Sequence, residues 1–198
     1  MIHNFSKSLK HEREQTDLAD QFYRNVLEVS EIKRFNSDSE VDMTMQKQDV
    51  DVLLTLKGTN FRVSEKFRDK DYGDLYIEIF SKYPHVNGWI QTGSPHAILY
   101  FTPLNIYWIT HKSLKKFCID KLFPEIKSGW FLDIYNSGKT FERKRITIDN
   151  NGFNINIIQA HNSDGNNWET LGVSIPFEIL ENFGVKLKRF ETSSNFKH

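Results

Sequence analysis

The sequence predicts an α/β (α+β) fold in which helices flank a central mixed β-sheet. The first observation is a hairpin pattern. Val50–Leu56 is extended and largely apolar, Phe61–Phe67 resumes an extended pattern, and Lys57-Gly58-Thr59-Asn60 between them has turn composition. The second observation is the segment Asp17–Ser30, where apolar side chains recur every three or four residues, as expected for an amphipathic helix.

The remaining elements follow from the same two periods. Further helices are predicted at Ser113–Leu122 and Pro176–Phe183, and Ile32–Met45 is predicted to be a loop with at most a short helical turn. Further strands are predicted at Asp74–Phe80, Ala97–Thr102, Ile106–Ile109, Phe131–Ile134, Arg145–Ile148 and Phe153–Ile158. We expect the hairpin to lie beside the Asp74–Phe80 strand, with the Asp17–Ser30 helix packed on one face of the sheet.

Length and composition favour one domain. The chain has 198 residues, of which 38% are hydrophobic, and no Pro/Gly/Ser-rich linker divides it. Residues 1–198 are therefore predicted to form one domain, with a core at about 17–122 and C-terminal strands and a closing helix at 123–198. The single cysteine, Cys118, excludes an internal disulfide and favours the cytoplasm. No apolar run is long enough for a signal peptide or a membrane span, so a soluble protein is expected.

The formal net charge is zero, but the charges are unevenly distributed. Residues 12–51 carry a balance of minus six, because eleven Asp and Glu face five Lys and Arg. The segments 57–70, 112–127 and 139–145 each carry plus three. A neutral chain with local basic segments can present one basic face to a polyanion, although ordinary solvated faces give the same pattern.

The hairpin also contains the residues that point to chemistry. Asp51 interrupts a buried strand, where an uncompensated carboxylate costs several kcal/mol unless a metal ion or a lysine neutralises it. Glu65 and Lys66 follow on the next strand, and an acid–lysine pair beside a second acid is typical of sites that combine a divalent metal with a phosphate. The alternative is a surface ion pair between Glu65 and Lys66 or Arg68, which is worth at most about 1 kcal/mol.

Other catalytic patterns are weaker. The histidines and the single cysteine lack zinc-ligand spacing. Ser137-Gly138-Lys139-Thr140 lacks the earlier glycine of a phosphate-binding Walker loop, because Asp133 stands in its place.

The segment Gln46–Phe80 resembles the core of a phage and bacterial group within the PD-(D/E)XK nuclease superfamily. The resemblance rests on Gln46, Val50-Asp51, Val63-Ser64-Glu65-Lys66, Arg68, Asp71-Tyr72-Gly73-Asp74 and Glu78, together with Gly88-Trp89-Ile90 and Ile98-Leu99-Tyr100. It implies a restriction-endonuclease-like core and a nuclease of phage or mobile-element type that hydrolyses DNA phosphodiester bonds.

The resemblance also assigns roles to residues. Asp51 and Glu65 would bind the metal, Mg²⁺ with Mn²⁺ as a substitute, and Lys66 would be the catalytic lysine. Arg68 and Lys70 would contact the phosphates of the DNA. The oligomeric state is left open, a homodimer included.

The spacing departs from the superfamily motif at one place. The motif needs one residue between acid and lysine, because alternate side chains of a strand share a face, whereas Glu65 and Lys66 are adjacent. Two arrangements would restore the site: a bulge that brings Glu65 and Lys66 together, or a carboxylate from Glu78 on a neighbouring strand. A further alternative is a catalytically inactive relative that binds nucleic acid or a protein, and the last is an unrelated structural domain.

Overall fold

The computed structural model describes residues 5–164 and 166–192. Its helices are α1 (Phe5–Asn25), α2 (Glu40–Lys47), α3 (Trp89–Thr92), α4 (His111–Phe117), α5 (Ser128–Ser137) and α6 (Phe177–Asn182). Its strands are β1 (Glu31–Arg34), β2 (Val52–Leu56), β3 (Thr59–Phe67), β4 (Asp74–Lys82), β5 (Val86–Asn87), β6 (Ala97–Phe101), β7 (Asn105–Thr110), β8 (Phe141–Ile148), β9 (Asn151–Asp164), β10 (Asn166–Pro176) and β11 (Leu187–Glu191).

The described chain divides into two compact units. The mixed-sheet unit comprises residues 5–71, 93–111 and 187–192, and the antiparallel unit comprises 72–92 together with the described part of 112–186. The predicted α+β class with a mixed sheet is confirmed. The assignment of residues 1–198 to one domain stays a prediction.

The mixed sheet has the strand order β1-β2-β3-β6-β7-β11. Its one parallel pair is β3 with β6, and every other neighbouring pair is antiparallel. The β2–β3 hairpin is confirmed, and its turn residues Lys57 and Gly58 have φ values of 48° and 76°. Two consecutive left-handed residues are typical of a type I′ turn, whose twist matches that of the strands it joins.

Helix α1 covers one face of the mixed sheet, as predicted. Phe22 and Tyr23 are fully buried there, in a core that includes Val63, Leu99 and other apolar residues of β2, β3 and β6. The Phe22 ring lies 6.1 Å from the ring of Phe101 in an edge-to-face arrangement. The helix spans Phe5–Asn25, so it both begins and ends earlier than the predicted Asp17–Ser30. Val26 and Val29 still pack on the core, although the N–H of Val29 bonds to the carbonyl of Tyr23, six residues earlier, and so makes no α-helical hydrogen bond.

The antiparallel unit contains a sheet of order β5-β4-β10-β9-β8. One face is apolar and includes Ile77, Ile157 and Val173, all fully buried. Helix α5 contacts β9 and helix α6 contacts β10. The β8–β9 turn again uses two left-handed residues, Asp149 and Asn150, with φ values of 48° and 67°. The short closing helix is confirmed as α6.

The predicted position of the Asp74–Phe80 strand is wrong. The strand forms as β4, but it pairs with β10 and β5 in the antiparallel sheet, whereas β3 pairs with β2 and β6. Glu78 therefore lies on no strand adjacent to β3. Apolar alternation identifies a strand and its buried face, but it does not identify the neighbour with which the strand pairs.

Two local predictions were also wrong. Phe131–Ile134 is part of helix α5, where Phe131 and Ile134 are buried at helical spacing and Gly138 ends the helix with φ 66°. The predicted loop Ile32–Met45 contains most of β1 and α2. Helix α2 begins after Ser39, whose hydroxyl accepts a hydrogen bond from the backbone N–H of Asp42. The strands β5, β10 and β11 and the helix α3 were not predicted.

No helix in the described part of the chain is long and apolar enough to cross a membrane.

Phe22 should be essential to the mixed-sheet unit, because its ring is fully buried and contacts both Phe101 and Phe190. We expect Phe22→Ala to lower the free energy of unfolding by about 3–5 kcal/mol, measured by urea denaturation. Leu104→Ala is the control, since Leu104 is 65% exposed and its loss should change stability by less than about 0.5 kcal/mol. Equal effects of the two variants would contradict the packing described for α1.

Candidate active site

Asp51 is held at the start of β2, directly beside β3. Its backbone N–H donates to the carbonyl of Val63 at 2.9 Å, which continues the β2–β3 ladder. Its carboxylate oxygen Oδ2 accepts the backbone N–H of Glu65 at 2.6 Å and lies 3.4 Å from the hydroxyl of Ser64. The sequence therefore placed Asp51 correctly beside the 64–66 segment.

Glu65 and Lys66 point to opposite faces of β3. Strand β3 pairs in unbroken register with β2 and with β6, so the bulge that would bring Glu65 and Lys66 together does not occur. Phe61, Val63 and Phe67 pack on the α1 side, and Glu65 shares that side with them. Lys66 shares the other side with Ser64.

The Glu65 side chain is largely occupied by hydrogen bonds from neighbours on the α1 side. Tyr23 donates its hydroxyl to Oε1 at 2.5 Å, and Arg34 donates to Oε2 at 2.7 Å and to Oε1 at 3.2 Å. Arg34 also forms an ion pair with Asp20 at 2.6 Å. These bonds use three of the roughly four lone-pair positions of the carboxylate. Glu65 is only 6% exposed, so Arg34 supplies the positive charge that its burial requires.

The pKa values of Tyr23 and Arg34 are both raised, which keeps both groups protonated as donors to Glu65. Burial raises the pKa of Tyr23 well above its usual value, and the negative charge of Glu65 raises it further. Burial lowers the pKa of Arg34, but the hydrogen bonds and charges of Glu65 and Asp20 outweigh burial and raise it overall. Tyr23 therefore remains a hydrogen-bond donor and Arg34 remains a cation at any physiological pH.

The partner of Lys66 is Asp49, which the sequence reasoning missed. The Lys66 ammonium lies 2.7 Å from Asp49 Oδ1, and the hydroxyl of Ser64 donates to Asp49 Oδ2 at 2.7 Å. Asp49 follows the end of helix α2 with φ 56°, a left-handed conformation that Asp tolerates better than most residues. We call Asp49, Asp51, Ser64 and Lys66 the acid–lysine cluster. One sequence signal for this cluster is the spacing of Ser64 and Lys66, because two strand residues separated by one position share a face.

Asp51 carries an electrostatic cost. Burial raises its pKa above the ordinary 3.8, and the charges of Asp49 and Glu65 raise it too. The positive charge of Lys66 and the N–H of Glu65 lower the pKa but do not cancel the effect of burial. The ionised carboxylate at neutral pH is thus destabilising where it stands.

The residues that could hold a divalent cation are therefore best chosen from the acid–lysine cluster. The described part of the chain contains no group of three His, Cys, Asp or Glu side chains arranged for a metal. Mg²⁺ is commonly held by only one or two carboxylates, with waters and substrate phosphate completing its shell, so Asp49 and Asp51 fit this donor set. The predicted pair Asp51 and Glu65 fits less well, although both line one pocket of about 350 Å³, because Arg34 lines it too and binds Glu65.

Arg68 and Lys70, the predicted phosphate contacts, follow β3 directly. The Arg68 guanidinium donates from Nε to the hydroxyl of Tyr100 at 2.8 Å, so its position is fixed by β6. Lys70 is exposed. Their role in binding nucleic acid stays a prediction.

Removing Arg34 should leave a buried, uncompensated carboxylate at Glu65. We expect Arg34→Met to lower the free energy of unfolding by about 3–5 kcal/mol in urea denaturation. The double variant Arg34→Met/Glu65→Gln should lose less free energy of unfolding than the two single variants lose together, because it contains no unpaired buried carboxylate at position 65. Arg24→Met is the matched control, since Arg24 is exposed on the same helix as Tyr23. An additive double variant would show that Arg34 and Glu65 act independently.

Neutralising Asp51 should stabilise the protein. The pKa of Asp51 is higher in the folded state than its ordinary value of 3.8. The folded protein therefore holds the proton of Asp51 more tightly than the unfolded chain does. The stability that this proton binding contributes is fully present below pH 3.8 and is lost as pH rises through the folded pKa. We expect Asp51→Asn to melt above the unsubstituted protein at neutral pH, with the gap narrowing as pH falls toward 3.8. Asp38→Asn, at an exposed position, controls for loss of one negative charge. A variant that melts lower at neutral pH would contradict the cost assigned to Asp51.

No family model matches this sequence, and neither a curated protein nor a solved structure matches it either. The resemblance of Gln46–Phe80 to PD-(D/E)XK nucleases stays a prediction that rests on the quoted residues alone. The function of the chain must therefore be inferred from the contacts of its own side chains.

Proposed function

We propose that the chain is a metal-dependent nuclease that hydrolyses DNA phosphodiester bonds at the acid–lysine cluster. The observation that supports this most is the contact of the Lys66 ammonium with Asp49 at 2.7 Å, on the same face as Ser64 and beside Asp51. The Ser64 hydroxyl lies 2.7 Å from the Asp49 carboxylate and 3.4 Å from the Asp51 carboxylate, and the Lys66 ammonium binds Asp49. Two carboxylates linked in this way through a hydroxyl, with an ammonium beside them, form a donor set suited to a phosphate and a hard cation.

Each member of the cluster has a distinct role in this proposal. Asp49 and Asp51 would hold Mg²⁺ or Mn²⁺, which when bound polarises a phosphoryl oxygen and lowers the pKa of a water molecule. Ser64 donates its hydroxyl to Asp49 and so orients that carboxylate. Lys66 can donate to the phosphate or to the attacking water and stabilise the negative charge that develops during hydrolysis. Arg68 and Lys70 would contact neighbouring phosphates of the DNA.

Glu65 is a positioning residue in this proposal. Its backbone N–H, which any residue except proline would supply at this position, donates to the carboxylate of Asp51 at 2.6 Å. Its side chain is occupied by Tyr23 and Arg34 on the α1 side. The catalytic acid that the resemblance assigned to Glu65 is therefore better assigned to Asp49.

The second candidate is a catalytically inactive protein of the same type that binds nucleic acid or a protein partner. It is favoured by the hydrogen bonds within the cluster, because both carboxylate oxygens of Asp49 already have partners, namely Lys66 and Ser64. A cation would have to compete with the charge of Lys66 for that carboxylate. Cleavage and binding assays distinguish the two candidates.

The catalytic proposal predicts that the purified chain cleaves DNA in Mg²⁺ or Mn²⁺ and that EDTA abolishes cleavage. Asp49→Ala, Asp51→Asn and Lys66→Ala should each reduce the cleavage rate about 100-fold or more, because each removes a charge acting on the transition state. Glu65→Gln should retain most of the activity, since glutamine keeps the backbone donor to Asp51. Labelled single-stranded and duplex DNA resolved on denaturing gels gives the rates.

Lys47→Ala is the matched control, because Lys47 is an exposed lysine outside the cluster, at the end of α2. The proposal makes Asp51→Asn both less active and more stable, a combination expected of a catalytic group and not of a packing residue. If Glu65→Gln is inactive while Asp49→Ala is fully active, the original Asp51–Glu65 site is favoured. DNA binding without cleavage in either metal favours the inactive candidate.

A further inference from the structure

One face of strands β8 and β9 in the antiparallel unit presents an unusual set of side chains. Phe141, Arg143 and Arg145 alternate along β8, so they share a face. Arg143 pairs in register with Asn156 of β9, and Arg145 pairs with Asn154. We call these five residues the β8–β9 face.

None of the five side chains has a hydrogen bond, ion pair or ring contact within the described part of the chain. Phe141 is 64% exposed, and both arginines are exposed. The opposite side of β8 is different. There Lys144 forms an ion pair with Glu142 at 2.8 Å and lies over the ring of Trp130. The cations of this strand are thus satisfied on one side and unpaired on the other.

The open part of this sheet face is confined to the two strands. On β10 the residues in the same cross-strand rows are Gly172, opposite Ile158, and Ser174, opposite Asn156, and both are buried. Strand β8 is at the edge of the sheet, so nothing in the sheet lies beyond Arg143 and Arg145. A ligand could therefore lie along β8 and β9 and reach all five side chains.

The chemistry of the β8–β9 face fits single-stranded nucleic acid. Arginines two residues apart on a strand are separated by about 7 Å, so each can contact its own phosphate. An exposed phenylalanine offers a ring on which an unpaired base can stack. Asparagine amides both donate and accept, as recognition of base edges requires. A duplex offers no exposed base to Phe141, because its bases are stacked on each other.

We propose that the β8–β9 face binds single-stranded nucleic acid, with a base on Phe141, backbone phosphates on Arg143 and Arg145, and base edges at Asn154 and Asn156. This inference extends the proposed function to a class of substrate and rests on nucleic acid being that substrate. It uses no residue of the acid–lysine cluster.

The test is fluorescence anisotropy of the full chain in EDTA, which prevents cleavage, with labelled oligothymidylate and oligouridylate of about 12 nucleotides and a duplex of equal length. We expect single strands to bind more tightly than the duplex. Phe141→Ala should weaken single-strand binding about 10-fold. The double variant Arg143→Gln/Arg145→Gln should weaken it and reduce the slope of log K against log salt by about 1.4, or about 0.7 for each lost phosphate contact.

Matched controls exist for both variants. Tyr72→Ala removes an aromatic side chain that is 67% exposed elsewhere, and Arg24→Gln/Lys57→Gln removes two exposed positive charges. Both should bind within about 2-fold of the unsubstituted chain, and unchanged circular dichroism melts should show that all variants fold. The ratio of affinities for oligothymidylate and oligouridylate identifies DNA or RNA as the preferred strand.

Several results would overturn the inference. The inference fails if the chain does not bind single strands. It also fails if Phe141→Ala and the double arginine variant bind them as tightly as the unsubstituted chain, or if the control variants lose as much affinity. A face covered by a second copy of the chain would instead show a dimer in sedimentation that Phe141→Ala dissociates. The two proposals can fail separately. If binding depends on this face but the chain does not cleave DNA, only the catalytic proposal is refuted. If the chain cleaves DNA but its binding does not depend on this face, only this inference is refuted.

Discussion

The two faces of strand β3 organise the mixed-sheet unit, because successive side chains of a strand must point in opposite directions. Strand β3 is hydrogen bonded on both edges, to β2 and to β6, and neither pairing contains a bulge. Glu65 is therefore committed to the side of helix α1, and Lys66 to the other side. Because both side chains are partly or largely removed from water, each needs an oppositely charged partner on its own side of the sheet.

The two compensations have different consequences. On the α1 side, Arg34 and Tyr23 satisfy Glu65, and Asp20 balances Arg34. That arrangement joins β1, β3 and α1 and leaves little capacity for a ligand. On the other side, Lys66 and Asp49 neutralise each other, but Asp51 remains buried with a raised pKa. A buried carboxylate with a raised pKa beside a lysine and a second carboxylate is a candidate functional group, which is why the acid–lysine cluster is the better candidate site.

The distribution of charge in the antiparallel unit follows a related logic. Lys144 on the covered side of β8 is paired with Glu142, whereas Arg143 and Arg145 on the open side have no acidic partner in the described residues. The two arginines differ from other exposed cations of the described chain in lying side by side next to an exposed aromatic ring, an arrangement that is complementary to an anionic ligand. Within β8, the cation Lys144 is thus paired, whereas Arg143 and Arg145 have no partner among the described residues.

The sequence by itself determined the local features. The β2–β3 hairpin, the helix against the mixed sheet, the closing helix α6 and the position of Asp51 beside residues 64–66 all follow from apolar periods and turn residues within short stretches of chain. The tertiary structure alone decided which elements meet. Strand β4 lies in the second sheet, Glu65 pairs with Arg34, and Asp49 at the end of α2 pairs with Lys66. Periodicity reports which side of an element is buried, whereas strand partners and ion pairs depend on contacts between residues far apart in the chain.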